Sequence, residues 1–443
     1  MDPYWQLISP GIEAAGINAD ALRRNSTLGT AEPWQRVYVC DPDPLHYLNA
    51  VFAALQQGCS VWLGDPSWGT ERVDEAFRWI RPQHVFGMAS PTLYDAAPDA
   101  SLLPLRRSLG GAPGIFIPTG GSSGGLKFAV HSWDTLAAAA KGFDQHFGAA
   151  GKNACCVLPV NHVSGFMQVV RALINGGSFR IEPWKDFLLQ EPHFDPADYY
   201  LSLVPLQLKR LLEVPQKIAF LKRFRMLLIG GAPADEALLQ QALEHDLPVV
   251  PSYGATETGA VIAALSTEAL RNGRRGVGKP LPHIHISCET CAKVSASIDC
   301  PGTVHLLGPS LCRGYFPGGV FTDKEFCTND LGCFDADGYL HIIGRIDRMI
   351  LSGGKKIDPF EVEQAFLSTG LVRDIYVRGE PDETWGQVVV AYYVPVDQAE
   401  SITMLLAELK GMLASWQLPK YCYPLTRIPR TGAGKVILSS LPH

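Results

Sequence analysis

Between residues 37 and 253 the chain alternates short, continuous apolar runs with stretches of helical periodicity, and this alternation constrains the fold more than any other feature. A run that is apolar throughout suits a strand buried on both faces, and the intervening helices return the chain for parallel pairing. Strands are expected at 37–39, 61–63, 85–87, 154–158, 200–204, 226–229 and 249–253. Helices are expected at 48–55, 73–80, 166–174, 206–212 and 234–243. The fold class that follows is α/β, with a large N-terminal domain of doubly wound sheets.

From about 276 to 343 the texture changes to short strands with frequent Gly and Pro, and Asp337-Gly338 supplies a hairpin turn between 332–334 and 339–343. This predicts a small β-rich subdomain. The remainder predicts a compact α+β unit with a helix over 359–367, strands at 374–377 and 387–394, and a helix over 402–416. Asp358 as N-cap and Pro359 at the first helical position mark the start of the first of these helices.

At 443 residues the chain exceeds one ordinary core, so two domains are expected. Hydrophobic residues make up 47% and charged residues 19%, and the net charge of −6 leaves no basic footprint for nucleic acid. The expected partners are small molecules, and a homo-oligomer is left open. No apolar run is long enough for a membrane span and Met1-Asp2-Pro3-Tyr4-Trp5 is not a basic leader, so a soluble, cytoplasmic protein is expected. The 11 cysteines are scattered, mostly in apolar strands, as reduced buried thiols would be. Cys288 and Cys291 have metal-knuckle spacing, but no second pair completes a tetrahedral site.

Four segments carry chemistry. The first, Thr119-Gly120-Gly121-Ser122-Ser123-Gly124-Gly125-Leu126-Lys127, has glycines that let backbone N–H groups approach an anion, hydroxyls that donate and a cation. It is not a Walker loop, because the residues after Lys127 read as a strand; it is either a phosphate cradle or a flexible connector. The second, Pro251-Ser252-Tyr253-Gly254-Ala255-Thr256-Glu257-Thr258-Gly259, closes an apolar strand, where ligand sites of α/β sheets collect. Its aromatic ring, hydroxyl and carboxylate suit a base, a phosphate and a magnesium ion, or else form a polar turn. The third comprises Thr328-Asn329-Asp330, Gly344-Arg345-Ile346-Asp347 and Ser352-Gly353-Gly354-Lys355-Lys356. Asp330 can accept ribose hydroxyls with Arg345 as counter-charge, or pair on the surface. The fourth, Pro429-Arg430-Thr431-Gly432-Ala433-Gly434-Lys435, puts a lysine in a Gly-rich loop.

In this order and spacing the segments resemble the adenylate-forming superfamily of acyl-CoA synthetases, luciferases and peptide-synthetase adenylation domains, over nearly the whole chain. The departures are Gly120 for a serine, Leu126 for a proline that would stiffen the loop, Asn329 for a glycine, which suits a left-handed backbone, and Leu438 for an arginine. The resemblance implies an adenylation core over 1–345, its β-rich part at about 276–343, and a small mobile domain over 346–443 rotating about Asp347. It also implies ATP, Mg2+ and coenzyme A. Lys435 would bridge acid and phosphate, Glu257 would hold the metal, and Thr256, Thr119, Gly120, Gly121, Ser122, Ser123, Gly124 and Lys127 would hold phosphate. Tyr253, Gly254 and the turn with Gly231, Ala232 and Pro233 would flank adenine, Asp330 and Arg345 would serve the ribose, and Gly353 and Gly354 would leave room for a pantetheine arm.

Asn161-His162-Val163-Ser164-Gly165 followed by Arg171, Ser202-Leu203-Val204-Pro205 and Gly230-Gly231-Ala232-Pro233 resemble the o-succinylbenzoate–CoA ligase branch, in its cyanobacterial form, of menaquinone and phylloquinone synthesis. On that resemblance His162, Arg171, Ser202 and Gly254 line the acid pocket, with Arg171 on the second carboxylate or, alternatively, on a surface acid. Other aromatic or short-chain acids, and a non-catalytic nucleotide-binding role, stay open.

Overall fold

The computed structural model describes residues 34–88, 102–119, 125–190, 194–290, 296–297, 300–321, 325–397, 402–430 and 436–442. They fall into two compact units, one of residues up to 286 with 305–326 and 336–340, the other of 287–304, 327–335 and 341–443.

The first unit carries two seven-stranded sheets. One runs Gly319–Val320, Gly314–Phe316, Lys127–His131, Ile115–Thr119, Ser60–Leu63, Arg36–Val39, His84–Phe86; the other runs Lys279–Pro280, Ala260–Ala264, Val249–Ala255, Met226–Ile229, Tyr199–Leu203, Asn153–Cys156, Phe179–Ile181. In each sheet the inner strands pair in parallel. At one edge each sheet reverses to antiparallel pairing. The continuous apolar runs read from the sequence are these parallel strands: Val37, Val61, Ala154, Leu201, Leu227 and Val249 have no exposed surface.

Three helices share one core with both sheets. Pro44–Gln56 starts where the Asp43 carboxylate accepts from the N–H groups of Leu45 and His46, and Trp133–Phe147 starts with a reciprocal Ser132/Thr135 capping box. Val163–Asn175 ends on Gly176 in the left-handed region. Phe52, Phe143 and Phe166 from these helices join Leu63 and Ile117 of the first sheet and Tyr200 and Leu228 of the second in a single buried cluster.

In the second unit the order Lys355–Ile357, Ile350–Ser352, Gly386–Pro395, Val372–Asp382 forms a sheet, with Tyr421–Pro424 alongside Gly386–Pro395. Strict alternation buries both its faces. Val389, Ala391 and Tyr393 pack under the helices Pro359–Ser368 and Ile402–Met412, while Val390, Tyr392 and Val394 pack against Ile428 and Leu441. Asp358 caps the first of these helices through the N–H of Phe360 at 2.9 Å, as expected. The second ends at Met412 rather than 416, because Ala414 N–H donates to the Gln417 side chain and Gln417 N–H returns to the Ala414 carbonyl, which replaces the helical ladder by a turn. A further sheet runs His285–Glu289, Gly302–Leu307, Glu325–Phe334, Leu340–Arg345. These strands span 285–345, against the β-rich stretch expected at about 276–343. Among the described residues no helix is long and apolar enough to cross a membrane.

His131 ties the two sheets of the first unit together. It is fully buried; Nε2 lies 2.8 Å from the Thr256 carbonyl and Nδ1 2.9 Å from the Thr135 hydroxyl. Burial pushes its pKa down to about 4, although the Thr256 carbonyl favours the protonated ring. The folded protein therefore takes up less proton here than the unfolded chain between the ordinary histidine range and pH 4. The stability from the neutral ring is complete above about pH 6.5 and is lost progressively as the pH falls towards 4, at up to about 1.4 kcal/mol per pH unit. Urea unfolding across this range is expected to show that slope, and His131→Gln is expected to flatten it while lowering stability at pH 7.5; an unchanged slope in the variant contradicts the assignment.

Candidate active site

The strands Ile115–Thr119 and Lys127–His131 are antiparallel neighbours with Thr119 opposite Lys127, so the Gly/Ser-rich segment is the loop of a hairpin. Gly120, Gly121, Ser122, Ser123 and Gly124 lie outside the described residues. At the end of the loop, Leu126 is 2% exposed and its N–H donates to Glu75 Oε1 at 3.0 Å. A proline here would lack that N–H, so the departure from the family pattern gains a hydrogen bond and a core contact in place of ring stiffness. Lys127 is exposed, with Nζ 6.0 Å from the centre of the Tyr315 ring.

The second motif is the corresponding hairpin of the other sheet. Val249–Ala255 pairs antiparallel with Ala260–Ala264 through an irregularity between Tyr253 and Gly254, where a side chain on Gly254 would stand 1.9 Å from the Ala260 carbonyl. Thr256–Thr258 forms a single 3-10 turn closed by Gly259 at φ 66°. Fully buried Thr258 pins it: its hydroxyl accepts from Ala255 N–H at 3.0 Å and lies 2.6 Å from the Ala260 carbonyl. Thr256 and Glu257 are left half-buried at the tip. Glu257 Oε1 accepts from the Tyr315 hydroxyl at 2.7 Å, and the Glu257 carbonyl accepts from Cys312 N–H at 2.8 Å. Gly231, Ala232 and Pro233 are exposed just beyond Met226–Ile229, the parallel neighbour of the Tyr253 strand, and the Ser252 hydroxyl donates to the Ile229 carbonyl.

His162 stands at the N-cap position of the helix Val163–Asn175 without a side-chain capping bond, and its Nε2 lies 3.2 Å from Asp65 Oδ2. Asp65 lies two residues past the end of the strand Ser60–Leu63. Burial raises its pKa, but hydrogen bonds from His162 and Ser67 outweigh burial and hold the carboxyl below the usual carboxylate range. Sequence reading missed Asp65, although a carboxylate just past the C-terminal end of a buried parallel strand is itself a signal. Ser202 is 6% exposed on Tyr199–Leu203.

Arg171 lies about two and a half turns into the same helix as His162. At 2% exposure it is no surface partner, which removes one of the two alternatives. Its guanidinium carbon stands 3.8 Å from the centre of the Phe143 ring, and Nε and Nη2 lack well-formed hydrogen bonds. So do the neighbouring Tyr200 hydroxyl and both ring nitrogens of His283, the latter ring seated where a side chain on Gly142 would be. Burial pushes Arg171 down from its ordinary value while Tyr200 works against it, and pushes His283 down to about 4. Tyr200 and His283 were not read from the sequence; each looks like an ordinary core residue until its neighbours are known.

In the second unit Thr328 and Asp330 share the strand Glu325–Phe334. The Thr328 hydroxyl donates to the Val304 carbonyl and accepts from Asp330 N–H, which fixes the Asp330 backbone. Arg345 forks onto Asp347 at 2.8 and 2.7 Å and reaches Asp330 Oδ1 at 3.1 Å, so one guanidinium joins the proposed ribose carboxylate to the proposed pivot. Asn329 does not use the left-handed backbone that would suit it: it lies within a strand at ordinary negative φ, and its amide reaches Asp347 at 3.5 Å. Gly353 and Gly354, at φ 54° and 77°, form the two-residue turn between Ile350–Ser352 and Lys355–Ile357. A side chain on Gly353 would stand 2.6 Å from the exposed Trp385 indole, whereas nothing lies near Gly354. Lys435 and Cys291 lie outside the described residues. Arg430 and Val436, the described residues on either side of 431–435, are bridged antiparallel. Cys288 is a buried thiol pushed up to about 12, chiefly by burial, and no group of three potential metal ligands occurs among the described residues.

Comparison with known proteins agrees with this layout. The profile of the "AMP-binding enzyme" family matches residues 18–316, and that of the "AMP-binding enzyme C-terminal domain" matches residues 361–435. The 2-succinylbenzoate–CoA ligase of Enterococcus faecalis is 31% identical over 326 residues, covering 72% of this chain and 67% of its own length. That of Bacillus cytotoxicus is 31% identical over 336 residues, covering 73% and 69%. Among solved structures, o-succinylbenzoate CoA synthetase from Bacillus subtilis with its acyl-adenylate intermediate superposes with a TM-score of 0.75 at 23% identity, over 99% of this chain and 92% of that one. ATP-bound MatB from Rhodopseudomonas palustris superposes with 0.77 at 20% identity, over 98% and 91%. With its mixed α/β architecture, large N-terminal part and smaller C-terminal part, the chain belongs to the AMP-binding enzyme family.

Proposed function

We propose that this chain is an ATP-dependent acid–thiol ligase that adenylates o-succinylbenzoate and transfers the acyl group to coenzyme A, releasing pyrophosphate and then AMP. The observation that carries the choice of acid is Arg171, a buried cation with unmade hydrogen bonds on the helix that His162 opens. A buried guanidinium that forms no ion pair among the described residues costs several kcal/mol, and an anionic partner offsets that cost. The substrate offers one: it has a carboxylate on its ring besides the one to be activated. The 2-succinylbenzoate–CoA ligases among the relatives support the same reading.

In the first half-reaction a carboxylate oxygen attacks the α-phosphorus of ATP, the bond to the β-phosphate bridging oxygen breaks, and pyrophosphate leaves with the electron pair. Charge builds on phosphate oxygens, so positioned cations and N–H dipoles are the main resource. Lys435 would bridge the carboxylate and the α-phosphate; Thr256, Lys127 and the 119–124 hairpin loop would hold the others. The donor set at Glu257 suits Mg2+, which takes one or two carboxylates and completes its shell with phosphate and water, and the ion would supply neutralisation of phosphate charge. Tyr253 and the Gly231-Ala232-Pro233 turn would flank adenine and Asp330 the ribose. In the second half-reaction the thiol sulfur attacks the acyl carbon, AMP leaves, and the thiol proton goes to solvent. For this the domain 346–443 would turn about Asp347, exchanging Lys435 for the Gly353-Gly354 hairpin beside the thiol. We place the reaction in the cytoplasm, in menaquinone or phylloquinone synthesis.

Pyrophosphate release measured with o-succinylbenzoate, benzoate and short-chain acids tests the acid; preference for either of the latter overturns it. Arg171→Leu is expected to raise the Michaelis constant for o-succinylbenzoate about tenfold or more, with thermal stability held or improved because an unpaired buried charge is gone. An unchanged Michaelis constant removes Arg171 from the pocket. Lys435→Ala is expected to slow acyl-adenylate formation by about 100-fold or more and to spare thioester formation from supplied adenylate. Equal loss in both half-reactions contradicts the exchange of Lys435 for the glycine hairpin.

A further inference from the structure

The segment from Cys312 to Phe316 is stitched to both nucleotide hairpins of the first unit. Cys312 N–H donates to the Glu257 carbonyl at 2.8 Å, and Arg313 N–H donates to the Val130 carbonyl at 2.7 Å. Tyr315 and Phe316 then pair with Ala129 and Phe128 on the strand that Lys127 begins. On this strip, held by main-chain bonds on two sides, Tyr315 points its hydroxyl at Glu257 Oε1, 2.7 Å away, with Lys127 Nζ 6.0 Å from its ring centre. Phe321 packs edge-on against the same ring at 5.3 Å. A cation near an aromatic face draws electron density from the ring, which makes the phenol a stronger donor. A phenol donating to a carboxylate forms a hydrogen bond of the stronger, charge-assisted kind.

We propose that Tyr315 is a positioning residue for the metal-binding carboxylate: it engages one oxygen of Glu257 and holds the other toward the bound nucleotide, so that metal loading depends on a phenol carried by the neighbouring sheet. This rests on the reading of Glu257 as the magnesium ligand. Glu257 is at the tip of a one-turn 3-10 segment and half-exposed, where a carboxylate left to itself samples several rotamers. Tyr315 selects one of them before the metal arrives, which lowers the ordering cost of binding.

The test is Mn2+ binding to the full-length protein in the presence of a non-hydrolysable ATP analogue, with free Mn2+ read by electron paramagnetic resonance, for wild type, Tyr315→Phe, Glu257→Gln and the double variant. Tyr315→Phe is expected to weaken Mn2+ binding about tenfold, the size of one hydrogen bond to a charged group, while metal-free nucleotide affinity stays within about twofold. The double variant is expected to bind Mn2+ no more weakly than Glu257→Gln alone, because Tyr315 acts through that carboxylate. Unchanged or tighter Mn2+ binding by Tyr315→Phe, or additive losses in the double variant, overturns the proposal while leaving Glu257 as the ligand. Unchanged binding by Glu257→Gln overturns both.

Discussion

The hydrogen bond between the His131 ring and the Thr256 carbonyl joins the two sheets of the first unit at the edges where each reverses direction, and the candidate nucleotide site depends on it. A neutral ring has one donor and one acceptor. With Nε2–H committed to the Thr256 carbonyl, which can only accept, Nδ1 carries the lone pair and faces the Thr135 hydroxyl at 2.9 Å, so the tautomer is set by the carbonyl. The contact lies at the first turn of the helix Trp133–Phe147, whose capping box uses the same Thr135. Helix start, strand end and the Thr256–Thr258 turn are thereby one hydrogen-bonded system.

The placement of the two motifs has a common physical origin. A parallel strand must be followed by a crossover, which carries the chain away from the strand's end; an antiparallel neighbour lets the chain turn back at once. By switching to antiparallel pairing at one edge, each sheet brings a short connection to the C-terminal ends of its parallel strands. The Gly/Ser-rich loop and the Thr256–Thr258 turn are the two such connections. Thr258 and Gly254 belong to the construction of the turn: one satisfies buried main-chain groups, and the other admits the Ala260 carbonyl at a distance no side chain tolerates.

How much of this was legible in the sequence depended on the range of the interaction. Parallel strands such as Met226–Ile229 and capped helices such as Pro359–Ser368 declare themselves locally, through apolar runs and the Asp-Pro start. The far end of Ile402–Met412 did not, because a side chain of Gln417 competes for the main chain and periodicity does not register that competition. Asn329 would be tolerated in a left-handed backbone where relatives carry glycine, but it sits in a strand at negative φ and its amide reaches Asp347. The motif residues were readable because chemistry dictates their type. Their supports were not: Tyr315 is 58 positions from Glu257, and Asp65 meets His162 from the other sheet, so proximity in the fold was the missing information.

Arg345 has a mechanical consequence. Its fork grips Asp347 with two nitrogens while a third contacts Asp330. Any large change in the backbone torsions of Asp347 would swing its carboxylate out of that fork and forfeit two charge-assisted hydrogen bonds unless another anion took their place. In the proposed rotation about Asp347 the guanidinium would act as a latch: it would resist turning until a nucleotide oxygen arriving beside Asp330 took over its nitrogens. Occupancy of the ribose and phosphate position and freedom of the pivot would thus be two readings of the state of one side chain.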